Sequence, residues 1–337
     1  MTRRSASCKT AGRLLRDTAV LATAAALTLY AAATSAIAPA PDNTPTPATA
    51  TPPMAEVLIS APEPKYVAPT LRDRIGRIWA PVYINGQGPL RLVLDTGATT
   101  AAITQDVANL LGLDTDRARS VLLRGTTGAA QVPAVRARQM EIGDFLAENQ
   151  RLVIVEDAFG GADGVLATRM LRDRRIHVEF RRDRIEITRS RNQPAPVGFA
   201  TVPVRLISGH VPWVEAWVGP VRVKAVIDTG AQQTLGNLAL RTALVAARRR
   251  GLDPRDEEVI GVTGDIQQGV SLAVPSIRLG SVTVRQARIN FVDLYIFDHW
   301  RMLEEPALLI GMDVIGVLDT FILDYRRREL QLLTRAN

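Results

Sequence analysis

Through the body of the 337-residue chain, apolar residues recur in short alternating or β-branched runs, broken by Gly, Pro and Asn. Runs of that length and period predict strands. Gln131-Val132-Pro133-Ala134-Val135-Arg136-Ala137-Arg138 and Gly269-Val270-Ser271-Leu272-Ala273-Val274 show the period-two spacing of half-buried strands. Helical spacing is confined to 103–111 and 235–248, with a short helix expected over 311–317. The pattern predicts a mainly β fold with short helices.

The same order of features occurs twice, and an internal repeat decides architecture. Val82-Tyr83-Ile84-Asn85-Gly86 corresponds to Val214-Glu215-Ala216-Trp217-Val218-Gly219. Gly86 and Gly219 each stand nine residues before an Asp-Thr-Gly-Ala segment, Asp95-Thr96-Gly97-Ala98 and Asp228-Thr229-Gly230-Ala231. Then come Gly125-Thr126-Thr127-Gly128 and Gly261-Val262-Thr263-Gly264, followed by Gly164-Val165-Leu166-Ala167 and Leu308-Leu309-Ile310-Gly311. Each half ends in a hairpin-like pair, Ile176-His177-Val178-Glu179-Phe180 with Arg184-Ile185-Glu186-Ile187, and Phe321-Ile322-Leu323-Asp324-Tyr325 with Leu330-Gln331-Leu332. Five correspondences in one order predict a tandem duplication with lobes at 71–190 and 200–334. Asn192-Gln193-Pro194-Ala195-Pro196 marks the short tether between them.

A single Asp-Thr-Gly arises by accident in roughly one chain in ten or twenty of this length. Two copies, each closing an apolar strand-like run, put carboxylates on two matching turns. Such a pair can activate water without a metal or a nucleophilic side chain, one member taking a proton while the other donates one. At about 4 Å and an effective dielectric of 20, two carboxylate charges repel by roughly 4 kcal/mol, so one proton stays on the pair. Gly97 and Gly230 lack a side chain, so the backbone turns tightly and its N–H can point at the carboxylate.

With these motifs the chain resembles the Asp-Thr-Gly aspartic proteases, most closely their retropepsin-like bacterial members. The two Asp-Thr-Gly-Ala turns and Leu309-Ile310-Gly311 carry the resemblance, which covers about 75–334. It implies two closed β lobes related by pseudo-two-fold symmetry, acting as an endopeptidase on a peptide or protein, with Asp95 and Asp228 catalytic and no cofactor or metal. It implies that the Thr96 and Thr229 hydroxyls bond across the lobe interface. It also makes Gly125, Thr126, Thr127 and Gly128, and Gly261, Val262, Thr263 and Gly264, the tips of two substrate-covering flaps; by themselves these are plain glycine turns.

The first half departs from the family pattern at Ala167, where glycine is expected, so a methyl is predicted to crowd the first turn. Ala98 and Ala231 lack the hydroxyl that pepsin-like enzymes place beside their dyads. One fewer donor predicts a higher average pKa and a mildly acidic to neutral optimum.

The second half carries about eleven extra residues, in or near Asp293-Leu294-Tyr295-Ile296-Phe297-Asp298-His299-Trp300. Its aromatic residues suit core packing or the lining of a specificity pocket.

Composition narrows the alternatives. The net charge of +7 rests almost wholly on arginine, since Lys9, Lys65 and Lys224 are the only lysines. Arg172, Arg174, Arg181, Arg182 and Arg184 alternate with Asp173, Glu179 and Asp183, which suits solvated hairpin faces and not a phosphate-binding stripe. No nucleic-acid partner is expected. The scattered His177, His210 and His299 predict no zinc site. Cys8 is the single cysteine, so no internal disulfide forms.

Residues 1–38 read as a signal peptide or an N-terminal membrane anchor. Arg3, Arg4, Lys9, Arg13 and Arg16 precede an uncharged stretch at 18–38, which ends in Ala36-Ile37-Ala38. That stretch is also long enough to anchor the chain in the inner membrane. Both outcomes predict an exported body, periplasmic or tethered facing the periplasm. The Pro/Thr/Ala-rich tract at 39–70 reads as an extended linker. Both lobes in one chain predict a monomer. A catalytically silent periplasmic peptide-binding module of the same fold, and a dimer exchanging lobes, stay open on the sequence.

Overall fold

Each half of the chain winds into a ring of six strands, and the two rings have the same strand order. The computed structural model describes residues 67–69, 76–143, 145–156, 161–247, 254–260, 266–292 and 294–335. The leader at 1–38, nearly all of the linker, and the second expected flap tip lie outside the described residues. No helix among those described is long and apolar enough to cross a membrane.

A short strand β1 (Val67–Pro69) comes first. The first lobe follows as β2 (Trp79–Ile84), β3 (Gln87–Asp95), β4 (Ala101–Thr104), helix α1 (Gln105–Leu110), β5 (Arg119–Arg124), β6 (Ala129–Ile142), β7 (Phe145–Val155) and β8 (Gly164–Ala167). The strands pair in the order β2-β3-β8-β4-β7-β6, and a β2–β6 pairing closes the ring. Strand β5 adds to β6 outside the ring, as a hairpin. The hairpin β9 (Arg174–Glu179) and β10 (Arg184–Arg189) completes this half.

The second half begins with β11 (Ala200–Pro203) and β12 (Arg205–Ile207). Its lobe contains β13 (Val211–Val218), β14 (Val221–Ile227), β15 (Leu235–Gly236), α2 (Leu238–Ala247), β16 (Pro254–Ile260), β17 (Ile266–Leu279), β18 (Val282–Phe291), α3 (Tyr295–His299), β19 (Ala307–Ile310) and α4 (Met312–Ile315). The ring order β13-β14-β19-β15-β18-β17, closed by β13–β17, repeats that of the first lobe strand for strand. In each ring the strand leading into Asp-Thr-Gly pairs in parallel with the late strand, β3 with β8 and β14 with β19. Closure removes free edges, so a small sheet can enclose a core without a partner.

The expected helices begin later than their apolar spacing suggested. Ile103 lies within β4, which runs through Thr104, and α1 starts only at Gln105, because Thr104 caps it by accepting the Val107 N–H at 3.3 Å. In the second half Leu235 and Gly236 form β15, and Asn237 caps α2 by accepting the Leu240 N–H at 2.9 Å. Thr104 and Asn237 each stand nine residues after their aspartate, so the duplication extends to the caps.

The two terminal hairpins leave their lobes and merge. Strands β20 (Thr320–Asp324) and β21 (Glu329–Leu333) join β9 and β10 in a six-stranded sheet ordered β1-β10-β9-β20-β21-β11, three strands from each half. At the seam β9 and β20 run antiparallel, with Ile322 opposite His177 and Asp324 opposite Arg175. All five residues of β20 are buried, as befits a central strand covered on both faces.

Strand alternation divides the apolar residues into three groups. Leu92 and Leu94 of β3, with Ala225 and Ile227 of β14, point into a large core continuous with the shared sheet. Val93 points the other way, into a small cluster with Trp79, Ala102, Val153 and Val165. Val226 does the same in the second lobe, where it meets Leu235, Leu309 and the segment around α3.

Candidate active site

At the ends of β3 and β14 the two Asp-Thr-Gly-Ala turns meet across the lobe interface. In the first, the Gly97 and Ala98 N–H groups both donate to Asp95 Oδ1, at 2.8 Å each. In the second, Gly230 and Ala231 donate to Asp228 Oδ1 at 2.9 and 3.1 Å. Each carboxyl is therefore oriented by its own turn through one oxygen, leaving Oδ2 to face the other lobe.

The glycines explain how closely the turns approach. A Cβ added to Gly97 would fall 2.4 Å from Asp228 Oδ2, and one added to Gly230 would fall 2.4 Å from Asp95 Oδ2. Each aspartate packs on the bare backbone of the opposite turn, which brings the two carboxyls within hydrogen-bonding reach of one another. No other residue type leaves that room.

The threonines lock this arrangement. Thr96 Oγ1 donates to the Ile227 carbonyl and Thr229 Oγ1 to the Leu94 carbonyl, both at 2.6 Å. Both side chains are fully buried. The cross-lobe bonding expected of Thr96 and Thr229 is present in both directions.

Burial raises the pKa of both aspartates. At Asp228 the charge of Asp95 adds to burial and lifts the carboxyl well above its ordinary range. At Asp95 the N–H bonds of Ala98 and Gly97 and the nearby Arg77 work against burial. Two interacting acids of this kind titrate as a unit and hold a shared proton over a wide pH interval.

Ala167 stands opposite Asp95 in the β3–β8 register, the place that Gly311 takes in the second lobe by following Ile310. Its methyl is fully buried, and the bonds of the first turn are as short as those of the second. The crowding expected there does not distort the turn. The Thr168 N–H and hydroxyl both donate to the Ala98 carbonyl, at 3.0 and 2.8 Å, and hold the turn from the far side.

Gly125, Thr126, Thr127 and Gly128 form the tip of the β5–β6 hairpin, closed by a 2.8 Å bond from the Gly125 N–H to the Gly128 carbonyl. Thr127 is only 6% exposed, and the Thr126 carbonyl accepts the Ile296 N–H at 3.3 Å. This tip therefore rests on α3 of the other lobe. Gly261, Val262, Thr263 and Gly264 lie outside the described residues, although β16 and β17 form the corresponding hairpin.

Tyr325 is a neighbour of the pair that sequence reasoning missed. It follows β20, is 4% exposed, and its hydroxyl makes no hydrogen bond among the described residues. Burial pushes its pKa well up, and the charge of Asp95 adds to the effect. No local motif marks it, because its place depends on the shared sheet, where its N–H donates to the Arg174 carbonyl of the first half at 3.1 Å. Among the described residues no group of His, Cys, Asp and Glu gathers as a metal site would.

Comparison with protein families agrees with this geometry. A family model described as aspartyl protease matches residues 80–170 and again 214–314, one match in each lobe and together more than half of the chain. No curated protein matches the chain.

Proposed function

Since the chain belongs to the aspartyl protease family, we propose that it is an exported endopeptidase in which Asp95 and Asp228 activate a water between them. The observation that carries this reading is the contact of two carboxyls, each held by two N–H groups of its own turn and seated on the glycine of the other.

The chemistry follows from one shared proton. The ionised carboxylate takes a proton from the water as its oxygen attacks the peptide carbonyl carbon. The protonated carboxyl gives its proton to the carbonyl oxygen, so the tetrahedral intermediate forms without net charge. The protonated carboxyl then gives its proton to the amide nitrogen while a carboxylate takes one from a hydroxyl of the intermediate, so the C–N bond breaks, releasing an acid and an amine and restoring the singly protonated pair. Thr96, Gly97, Thr229 and Gly230 act as positioning residues. The hairpin tip at Gly125–Gly128 is the flap that covers a bound peptide, and Gly261–Gly264 is its second-lobe counterpart. Both lobes reside in one chain, so the protein acts as a monomer. The basic, then uncharged, leader supports delivery to the periplasm, either freed by cleavage or anchored in the inner membrane by residues 18–38.

The test is digestion of a denatured protein by the wild type and by the Asp95→Asn and Asp228→Asn variants, with and without a pepstatin-like inhibitor. Inhibitor-sensitive cleavage lost in both variants is expected. A folded wild type that binds peptides but cuts none would instead make the protein a silent peptide-binding module.

A further inference from the structure

In the second lobe the chain leaving the catalytic turn meets β18 only near the end of that strand. Leu235 pairs with Asn290 and Gly236 with Phe291, and the Asn290 N–H donates to the Thr234 carbonyl at 3.0 Å. Upstream, from Thr283 to Arg288, β18 pairs with β17 on one side and with no described strand on the other. Strand alternation turns the N–H and C=O groups of Val284 and Arg288 toward this free edge, as it does those of Asn290. A groove of about 490 Å³ runs along the edge, lined by residues 284–288 together with Gln232, Gln233 and Asp313.

The groove is cationic. Arg285 is exposed and pairs with no acid among the described residues. Arg288 is half-buried and donates to the Ser271 hydroxyl at 3.1 Å and carbonyl at 3.2 Å, which fixes its guanidinium in place. Asp313 is the one acid in the lining, and both its oxygens are taken, by the Thr234 N–H at 3.0 Å and the Thr234 hydroxyl at 2.6 Å. The first lobe repeats the edge but not the charge. Ala102 and Leu235 hold the same place after their aspartates and pair with Val153 and Asn290, so Glu148 matches Arg285 and Asn149 matches Gln286. Asn149 and Gln286 share a left-handed backbone, with φ of 56° and 55°, as befits matched positions. Since the duplication, the edge has kept its shape, while one lobe carries a carboxylate where the other carries a guanidinium.

We propose that this groove is an exosite for the substrate: an extended acidic segment outside the cleaved stretch adds as a strand to the free edge of β18, its carboxylates meeting Arg285 and Arg288. Thr283 to Arg288 offer roughly 20 Å of edge, enough for an added strand of about six residues. Main-chain bonds to the edge supply affinity without regard to sequence, and the guanidinium groups select the acidic partner. The groove adjoins the second catalytic turn through Gln232, which follows Ala231 and whose carbonyl accepts the Asp313 N–H at 3.1 Å. A segment held there keeps the rest of its chain close to the dyad, which raises its effective concentration. The inference rests on the peptidase reading for the identity of the partner and adds a substrate class to it.

The experiment titrates a fluorescein-labelled Val-Glu-Val-Glu-Val-Glu peptide, and its counterpart with Lys for Glu, into the full-length Asp95→Asn chain and follows anisotropy. The acidic probe is expected to bind roughly tenfold tighter than the lysine probe, and an excess of pepstatin-like inhibitor should leave it bound. Arg285→Glu should weaken the acidic probe roughly tenfold and favour the lysine one. Amide hydrogen exchange at 284–288 should slow when the acidic probe is added, which charge attraction without strand addition does not produce. Displacement by the inhibitor, equal affinity for the two probes, or unchanged exchange at that edge overturns the inference. In the wild type, an acidic tail on a cleaved peptide should lower its KM roughly tenfold. Cleavage indifferent to the tail overturns the exosite and leaves the hydrolytic reading intact. Capture of the acidic probe on the β18 edge of a chain that cleaves nothing sinks the hydrolytic reading and leaves the groove as a site for acidic peptides.

Discussion

Thr96 and Thr229 hold each other across the lobe interface: the Thr229 N–H donates to Thr96 Oγ1 at 3.0 Å, and the Thr96 N–H donates to Thr229 Oγ1 at 3.2 Å. Each hydroxyl then donates onward to a carbonyl just before the other lobe's aspartate. Every polar group in the cycle is buried, and the bonds join residues more than 130 positions apart. The cycle therefore fixes the two aspartates relative to one another, which neither turn achieves alone.

Replacing either threonine by valine keeps the shape and strands one N–H and one carbonyl of the partner lobe. At about 1–3 kcal/mol for each of the two unsatisfied groups, Thr96→Val or Thr229→Val is expected to cost about 2–6 kcal/mol in denaturant unfolding. Serine keeps the hydroxyl and should recover most of that loss. A valine variant as stable as the wild type would mean that the cycle positions the aspartates without stabilising the fold.

The raised carboxyls give stability a definite pH dependence. Asp228 has a folded pKa well above the ordinary 3.8, so between those values the native state binds more protons than the unfolded chain. Stability from this group is complete below 3.8 and lost as pH rises through the folded pKa. Asp228→Asn removes both the buried charge and its repulsion by Asp95. The variant should therefore gain on the wild type as pH rises from 4 to 7, while losing hydrolysis at every pH. Urea unfolding at several pH values checks this, and parallel stability curves for the two proteins would refute it.

Much of this site was legible in the residues themselves. The paired Asp-Thr-Gly-Ala turns, with Gly86 and Gly219 before them and Ala167 and Gly311 after, survive as matched ring positions because tandem duplication preserves spacing. The shared sheet was not legible. Ile176–Phe180 and Phe321–Tyr325 read as ends of separate lobes, since alternation reveals which face of a strand is buried and not which strand lies beside it. Tyr325 escaped notice for the same reason. The start of α1 was misread because Ile103 continues the helical spacing while Thr104, as the cap, ends the strand.

Gly311 and Ala167 test how far the lobes have diverged. A Cβ on Gly311 would lie 2.5 Å from the Gln233 carbonyl oxygen, which is backbone and cannot step aside. The Gly311 N–H is also tied to Thr234 Oγ1, whose hydroxyl donates to Asp313 at 2.6 Å. Gly311→Ala is expected to destabilise by about 1–3 kcal/mol, the usual scale of overpacking. Ala167→Gly removes a buried methyl that its lobe already accommodates and should cost about 1 kcal/mol through backbone freedom and lost burial. Thermal melts of the pair read the contrast; equal losses would mean that the two positions share one geometry.

Arg175 and Asp324 carry the last prediction. They face each other across the β9–β20 seam, Nη1 to Oδ2 at 3.1 Å, with side chains 7% and 0% exposed. The Arg175 Nη2 also donates to Gln331 Oε1 at 2.7 Å, while Asp324 accepts the Ser190 hydroxyl at 2.9 Å and the Arg327 N–H at 3.0 Å. Removing one partner leaves a buried charge uncompensated, so Asp324→Asn or Arg175→Met should each cost about 3–5 kcal/mol. Replacing both by apolar residues removes both charges, and the double variant should recover most of that loss in a double-mutant cycle. A strongly positive coupling with wild-type kcat in the double variant would assign the pair to holding the hairpins in register. If kcat fell while stability was restored, the seam would be setting the distance between Asp95 and Asp228 as well.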